Sequence, residues 1–351
     1  MSKLNIKKTI FDFSNCAKLA QKAGYDGVEI MGSEGYLINQ FLAPKTNKRT
    51  DEYGGSFEKR SRFALEIIRA VRKKVGEDFI IIYRLSMIDL VKNGQTWGEV
   101  VSLAKQLKDA GVNIINTGIG WHEARVPTIA TMVPRAAWVW VTEKLKSEVE
   151  LPLIATNRIN TPEVAEEILS SNKADMVSMA RPFLADPEFV NKAKDDRADE
   201  INTCIACNQA CLDHVFQNKV SSCLVNPKAC HETLYDKGPA AISKKVAVIG
   251  AGPAGLAFAI EAARLGHKVT IFEKQAEIGG QFNIAKEIPG KEEFSETIRY
   301  FLRQIELLNI DLKLNTEIDL QGLKESSFET FVFSSGVRPR IPKIDGIEEG
   351  L

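Results

Sequence analysis

The sequence offers no excess of charge of either sign: 46 Lys and Arg stand against 46 Asp and Glu in 351 residues. Nucleic-acid binding draws much of its affinity from basic patches, so this balance argues against nucleic acid as a main partner. Long apolar runs are missing too. No stretch of about 18 apolar residues escapes both glycine and charge, so no membrane span is expected. The opening Met1-Ser2-Lys3-Leu4-Asn5-Ile6-Lys7-Lys8 is basic but leads into no apolar core. It reads as neither signal nor transit peptide, and the cytoplasm is the expected compartment. Cysteine is sparse, six in all, yet four of the six fall between positions 204 and 223.

Those four are Cys204, Cys207, Cys211 and Cys223, spaced C-x2-C-x3-C-x11-C. A reducing compartment keeps such thiols unpaired, so close-set cysteines there point to metal ligation rather than disulfides. Four thiolates suit a [4Fe–4S] cluster. They also suit a structural zinc. The spacing lacks the paired CxxC knuckles of zinc ribbons, and the segment lies between two stretches that look built for redox cofactors. Both features favour iron–sulfur, with zinc left open. Cys16 falls in a helical stretch and is expected to be a buried small apolar residue. Cys230 reads as a spectator.

What is abundant is alternation. A hydrophobic content of 44% is enough for ordinary cores, and the length suggests two or three domains. Apolar positions at helical spacing over 10–23 lead to the short strand 25–30. A helix over 57–75 precedes the strand 79–85, and a helix over 96–110 precedes 112–116. A helix over 136–149 precedes 153–155. A helix capped by Thr161, with Pro162 in its first turn, precedes 175–179. Five largely apolar strands separated by helices predict a parallel sheet covered on both faces. Five units are too few for a closed eight-stranded barrel. An open doubly wound sheet is the alternative. The unusual polar residues decide for a barrel: Glu34, Tyr36, Arg84, Trp121, His122, Asn157, Arg158 and Arg181 all fall at or just after strand ends, the face where such barrels keep their chemistry.

In the second half, a polar linker over 235–244 leads to the strand 245–249. Gly250-Ala-Gly252-Pro-Ala-Gly255 follows at once and opens a helix over 256–265. The strand 268–272 then ends at Glu273. Strand, glycine motif, helix, strand and acid in that order form the dinucleotide fingerprint. Its glycines let backbone N–H groups approach a pyrophosphate at a helix N-terminus, and Glu273 can bond ribose hydroxyls. An acid there, rather than an arginine, disfavours a 2′-phosphate.

Several segments carry a resemblance. Met31-Gly-Ser-Glu34-Gly-Tyr36-Leu-Ile-Asn-Gln-Phe-Leu-Ala-Pro, Asn47-Lys-Arg-Thr-Asp-Glu-Tyr-Gly-Gly-Ser-Phe-Glu58, Gly118-Ile-Gly-Trp-His122-Glu-Ala-Arg and Met179-Ala-Arg-Pro-Phe-Leu-Ala-Asp186 resemble the Old Yellow Enzyme flavoproteins. With the cysteines and the second half, the resemblance narrows to the bacterial NADPH-dependent 2,4-dienoyl-CoA reductases. Gly279-Gly280-Gln281 and Ser334-Ser-Gly336-Val-Arg-Pro-Arg340 are similar to FAD domains of the disulfide-reductase kind. The resemblance implies an α/β chain in three parts. Residues 1–200 would be a partial TIM (β/α)8 barrel for FMN, lacking its first units. Residues 201–240 would be a cysteine-bound iron–sulfur segment. Residues 241–351 would be a partial Rossmann-like FAD-binding domain. The chain would match the middle of such an enzyme, and turnover of NADPH by it alone is not expected.

The resemblance also implies roles. Tyr36 and His122 match the family's proton-donating pair; separately, the position of Glu34 two residues before Tyr36 suggests that it tunes the acidity of Tyr36. Arg84 would lie near the flavin ring. Arg158, Ala180 and Arg181 sit in the loops after the last two strands, where such barrels hold phosphate. Gly250, Gly252, Gly255, Glu273 and Gln281 would hold FAD. Electrons would pass from NADPH as co-substrate through FAD and the 4Fe–4S cluster to FMN, and reduce a 2,4-dienoyl-CoA, a small acyl-CoA substrate of unsaturated fatty-acid β-oxidation. The alternatives are another FMN/4Fe–4S reductase, of the enoate reductase or trimethylamine dehydrogenase kind, and an inactive fragment.

Overall fold

The structure is a computed structural model, and it describes residues 1–235, 238–337 and 340. The chain divides into two compact units. The first holds Met1–Phe183 with Ala206–Asn208, and the second holds Leu184–Ile205 with the residues from Gln209 onward.

The first unit is built on five parallel strands: β1 (Gly27–Gly32), β2 (Ile80–Ile88), β3 (Ile114–Ile119), β4 (Leu153–Ala155) and β5 (Met176–Val177). They hydrogen-bond in the order β1-β2-β3-β4-β5, each strand beside the next in sequence. A doubly wound sheet reverses direction at a switch point, whereas a barrel arc keeps winding one way. The strand order therefore selects the barrel arc over the open sheet. Ile30 sits opposite Tyr83, Arg84 opposite Asn116, and Ile154 opposite Met176. The alternating residues Ile81, Tyr83 and Leu85 of β2 are wholly buried. They pack with Phe63, Ile67, Ile68 and Val71 on one face of the helix Phe57–Val75.

Local chemistry sets the ends of these elements. Thr96 and Glu99 exchange side-chain bonds with each other's backbone N–H in a capping box that starts the helix Trp97–Ala110. Gly111, at φ +106, ends it in the left-handed region that disfavours a side chain. Thr161 caps the helix Pro162–Ser170, with proline at its first turn. The first helix corrects one expectation. Along Lys3–Lys22 the buried positions are Ile6, Ser14 and Ala17, and Cys16 is exposed. Each residue turns the helix by about 100°, so Cys16 lies one step off the apolar stripe that Ala17 occupies.

The second unit holds β6 (Lys245–Ile249), β7 (Lys268–Phe272), β8 (Asp311–Lys313) and β9 (Thr330–Phe333), all parallel, in the order β8-β7-β6-β9. This is the doubly wound order, and it reverses between β6 and β9. The helices Pro253–Arg264 and Phe294–Leu307 contribute Leu256, Ala259, Ile260 and Ile305 to the core, against Val246, Val248 and Ile271. Among the described residues, no helix is long and apolar enough to cross a membrane.

Candidate functional site

At the end of β1 the chain turns through Glu34, at φ +59, and Gly35, at φ +84. The Gly35 N–H donates to Asn39 Oδ1 at 2.8 Å. A Cβ at Gly35 would lie 3.2 Å from the Trp121 ring, so the turn passes close against the loop after β3. That loop is fixed in turn: Gly120 N–H donates to Ile88 O at 2.8 Å, and Trp121 N–H to Asp89 O at 3.0 Å. Between the two loops, Tyr36 Oη and His122 Nε2 are hydrogen-bonded at 2.9 Å, 86 residues apart in sequence. Their rings meet edge to face, with centroids 5.2 Å apart at 76°. Tyr36 is 48% exposed, so the pair faces an open surface rather than a core.

Arg84, one position before the buried Leu85, turns its guanidinium toward Glu34. Nε and Nη2 donate to the same carboxylate oxygen at 2.9 and 2.7 Å. Both side chains are largely buried. Glu34 therefore bonds Arg84, and the hydrogen-bond partner of Tyr36 is His122. Nothing in the spacing of Glu34 and Arg84 signals that pair, because the contact is made only when β1 and β2 lie side by side.

The other two arginines serve the loops after β4 and β5. Arg158, buried and at φ +58 beside Asn157 at φ +70, donates from Nε to Val133 O at 2.7 Å. Its carbonyl accepts Ala136 N–H at 2.9 Å. Arg181 Nη1 donates to Ile129 O at 3.0 Å and to Asn208 Oδ1. The Ala180 carbonyl accepts Phe183 N–H at 3.1 Å. Arg158 and Arg181 are thus oriented cations in the loops after β4 and β5, the kind of donor that suits an anionic flavin phosphate. Arg84, expected at a strand end, lies at the middle of β2, because that strand goes on pairing with β3 as far as Ile88, and its charge is paired with Glu34. Sequence reasoning missed Asn39 and Asp89 beneath this face. Asn39 holds the Gly35 turn, and Asp89 Oδ1 accepts Ser86 Oγ at 2.6 Å while its Oδ2 accepts Gln95 N–H at 2.6 Å.

In the cysteine segment, Cys204 is buried, Cys207, Cys211 and Cys223 are half-buried, and Cys230 is exposed. No disulfide joins any of them. Four thiols in one short segment match a metal centre in kind and number. Among the described residues, no group of three or more His, Cys, Asp or Glu side chains is drawn together as a metal site.

The second unit carries a cavity of about 830 Å³ at the reversal between β6 and β9. It is lined by Gly250, Gly252, Glu273, Gln281, Ser334 and Gly336, among others. The three motif glycines have three different surroundings. A Cβ on Gly250 would lie 2.5 Å from Ser334 O, and one on Gly255 would lie 2.1 Å from Gly250 O, whereas one on Gly252 meets nothing within 4 Å. Gly250 and Gly255 are close-packed, and Gly252 leaves open room at the N-terminus of the helix Pro253–Arg264. That is room for a pyrophosphate against backbone N–H groups. Glu273 is buried. Its Oε2 accepts Ala251 N–H at 2.7 Å and its Oε1 accepts Gln275 N–H at 2.9 Å. It therefore ties the glycine loop to β7, and each oxygen keeps a lone pair for a ribose hydroxyl. Gln281 Nε2 donates to Val337 O at 3.2 Å. Ser334, which pins the loop through Oγ to Ile249 O and Gly250 O, both at 2.9 Å, directly follows β9 and has no signal in the glycine motif itself. Of the FAD-like Ser334–Arg340 stretch, positions 338 and 339 lie outside the described residues.

A profile of the NADH:flavin oxidoreductase / NADH oxidase family matches residues 1–200. A pyridine nucleotide-disulphide oxidoreductase profile matches residues 244–351. A metal reductase of Desulforamulus reducens is 43% identical over 350 residues, covering 99% of this chain and 52% of the relative. An NADH oxidase of Thermoanaerobacter brockii is 38% identical over 347 residues, covering 98% and 53%. The solved complex of a 2-naphthoyl-CoA reductase with 2-naphthoyl-CoA matches with a TM-score of 0.96 at 38% identity, over 99% of this chain and 53% of that one. The chain spans about half the length of the curated relatives it matches.

Proposed function

The chain belongs to the NADH:flavin oxidoreductase / NADH oxidase family, and on that premise we propose that it carries the substrate end of a flavin-dependent reductase acting on a conjugated acyl-CoA thioester, with 2,4-dienoyl-CoA as the substrate. The observation that carries this reading is the hydrogen bond between Tyr36 and His122. Reducing a conjugated carbon–carbon double bond adds a hydride at one carbon and a proton at another. FMN held at this face would supply the hydride. The proton then needs a positioned acid. A phenol donates well only where the phenolate it leaves behind is stabilised. His122, bonded to the phenol oxygen, can stabilise the phenolate left behind and return a proton from solvent. The exposure of Tyr36 gives that proton a route in. Arg181, bonded to a carbonyl and an amide oxygen rather than to a carboxylate, offers positive charge for an anionic cofactor, and the neutral Arg84–Glu34 pair offers oriented N–H donors.

The 2-naphthoyl-CoA reductase match supports a thioester of coenzyme A, since that relative holds one. The room beside Gly252 supports a pyrophosphate-bearing cofactor there, proposed to be FAD, and the acidic Glu273 fits an unphosphorylated ribose. Cys204, Cys207, Cys211 and Cys223 are proposed to hold a 4Fe–4S cluster, which would carry single electrons between flavins that each hold two. NADPH is the proposed electron source for the whole enzyme, and the cytoplasm its compartment.

A substrate panel tests the proposal. Under anaerobic conditions, FMN-loaded protein reduced with dithionite is mixed with 2,4-dienoyl-CoA or cinnamate as electron acceptor, and oxidised FMN-loaded protein is mixed with trimethylamine as electron donor. Reoxidation by the dienoyl-CoA, with the two-electron-reduced thioester as product, is expected. Reoxidation by cinnamate but not by the thioester would move the activity to enoate reduction.

A further inference from the structure

The ends of the cysteine segment are tied before any metal enters. Asn202 lies two residues before Cys204 and Val225 two residues after Cys223, and Asn202 Nδ2 donates to Val225 O at 2.8 Å. The Asn202 N–H donates to Asp186 Oδ2 at 2.9 Å. That carboxylate is buried, and it also accepts Lys192 Nζ at 2.6 Å. Arg299, on the helix Phe294–Leu307, reaches the same strand of chain. Nη1 donates to Asp199 O, and Nη2 donates to Ile201 O at 2.7 Å and Thr203 Oγ1 at 3.2 Å. Glu296 holds its Nε at 2.7 Å. Ser222 N–H donates to Ala210 O at 2.8 Å, linking the residue before Cys223 to the residue before Cys211. All of these groups belong to the second unit.

We propose that Arg299 and Asn202 are positioning residues for the cysteine segment, holding its two ends beside Cys204 and Cys223 at a fixed separation so that an incoming cluster has less of the chain left to order as it gathers the thiols. The inference rests on reading these cysteines as cluster ligands. Its physical basis is entropy. A metal that must also close a flexible loop loses part of its binding free energy to ordering the chain. A clamp that closes the loop beforehand removes that loss. Arginine suits the task because its planar fork presents five donors in fixed directions. Lysine, with three donors on one atom, cannot serve Glu296, Ile201 and Thr203 at once. A purely structural arginine would satisfy the same carbonyls yet leave the reactivity of Cys204 unchanged, and that difference is measurable.

The test uses two readouts on wild type, Arg299→Ala, Arg299→Lys and Asn202→Ala. The first is the rate at which iodoacetamide alkylates Cys204 and Cys223 in metal-free protein, read by mass spectrometry. The second is iron bound, with the electron paramagnetic resonance line shape of the reduced protein, after anaerobic reconstitution with ferrous iron and sulfide. Losing several hydrogen bonds should open the segment locally and speed alkylation of Cys204 in Arg299→Ala by about ten- to hundredfold. Iron uptake should fall to roughly half or less, with a changed line shape. Arg299→Lys should lie between. Asn202→Ala should speed alkylation of Cys223 as well, so it tests the clamp from the other end should Arg299→Ala fail to fold. Arg303→Ala removes an ion pair to Asp199 but none of the carbonyl bonds, and should match wild type. Wild-type alkylation and wild-type iron in both Arg299→Ala and Asn202→Ala overturn the proposal. If the wild type itself takes up no iron, the cluster reading fails, and the alkylation rates alone decide whether the clamp exists.

Discussion

Gly252→Ala and Gly255→Ala, three residues apart in one turn, should fail in different ways. At Gly255 the new Cβ would lie 2.1 Å from Gly250 O, 2.5 Å from Ser334 Oγ and 3.2 Å from Val248 Cγ1. The first obstacle is backbone and cannot rotate aside, so the loop and β9 must separate. Overpacking of this kind costs about 1–3 kcal/mol, and a rigid backbone neighbour puts this case near 3. For a unit of this size that corresponds to a fall of about 6–12 °C in melting temperature. At Gly252 the backbone is extended, at φ −77 and ψ 175, and the Cβ meets nothing within 4 Å. The fold should lose at most about 1 kcal/mol, from the weaker helix cap that alanine makes. The methyl would, however, fill the room left for a pyrophosphate. Losing one or two charge-assisted bonds at about 1.5–3 kcal/mol each weakens binding by about 10- to 100-fold or more. Thermal unfolding of the ligand-free variants, followed by equilibrium titration with FAD, separates the two effects. Gly255→Ala should melt early and Gly252→Ala should melt near wild type yet bind FAD weakly. A Gly252→Ala protein that binds FAD as wild type does, or a Gly255→Ala protein that melts as wild type does, would refute the reading of the loop.

Three further outcomes follow from particular contacts. Glu34→Gln leaves the largely buried Arg84 guanidinium without its carboxylate, which should cost about 1–3 kcal/mol in unfolding free energy and weaken FMN retention on dialysis. In the Asp51 loop, the Arg49 guanidinium, assisted by Tyr53 N–H, holds the Asp51 carboxyl down to about 2. A depressed carboxylate stabilises the fold above its ordinary pKa and loses that contribution as pH falls toward 2. Wild type should therefore exceed Asp51→Asn by roughly 1 kcal/mol near pH 6, after discounting for solvent screening, with the gap closing below about pH 3 in denaturant titrations. Cys207→Ser should abolish the broad visible absorption of anaerobically reconstituted protein. About four iron per chain are expected in the wild type, and one zinc with no iron would contradict the cluster reading.

How legible the fold was depended on length and patterning. The strands Leu153–Ala155, Lys245–Ile249 and Lys268–Phe272 and the helix Phe57–Val75 are readable at their observed ends. Each is a clean apolar run or stripe bounded by glycine, proline or a cap. The strands β8 and β9 escaped notice. Asp311-Leu312-Lys313 is short and charged, and lies at the edge of its sheet, where pairing rather than hydrophobic pattern makes the strand. The helix Leu37–Leu42 is hidden because Asn39 interrupts its apolar side, and Asn39 is buried for the sake of the Gly35 turn. Site residues followed the same division. The glycine loop and Glu273 are legible because one local motif contains them. The Arg84–Glu34 pair and the Arg299 clamp join residues 50 and about 100 positions apart, and no local spacing announces them.

The central claim concerns the proton, and a single-turnover measurement meets it directly. FMN-loaded protein, pre-reduced with dithionite, is mixed with 2,4-dienoyl-CoA in a stopped-flow instrument under anaerobic conditions, for wild type, Tyr36→Phe, His122→Ala and the double variant. A hydrogen-bonded donor pair should lose about 10²- to 10⁴-fold in the rate of flavin reoxidation in each single variant. The double variant should be little slower than the worse single, because the two residues act as one unit. FMN binding should be unchanged throughout. Reoxidation at the wild-type rate in Tyr36→Phe and in His122→Ala would show that the proton comes from elsewhere, and that the 2.9 Å bond between them serves only to hold two loops together.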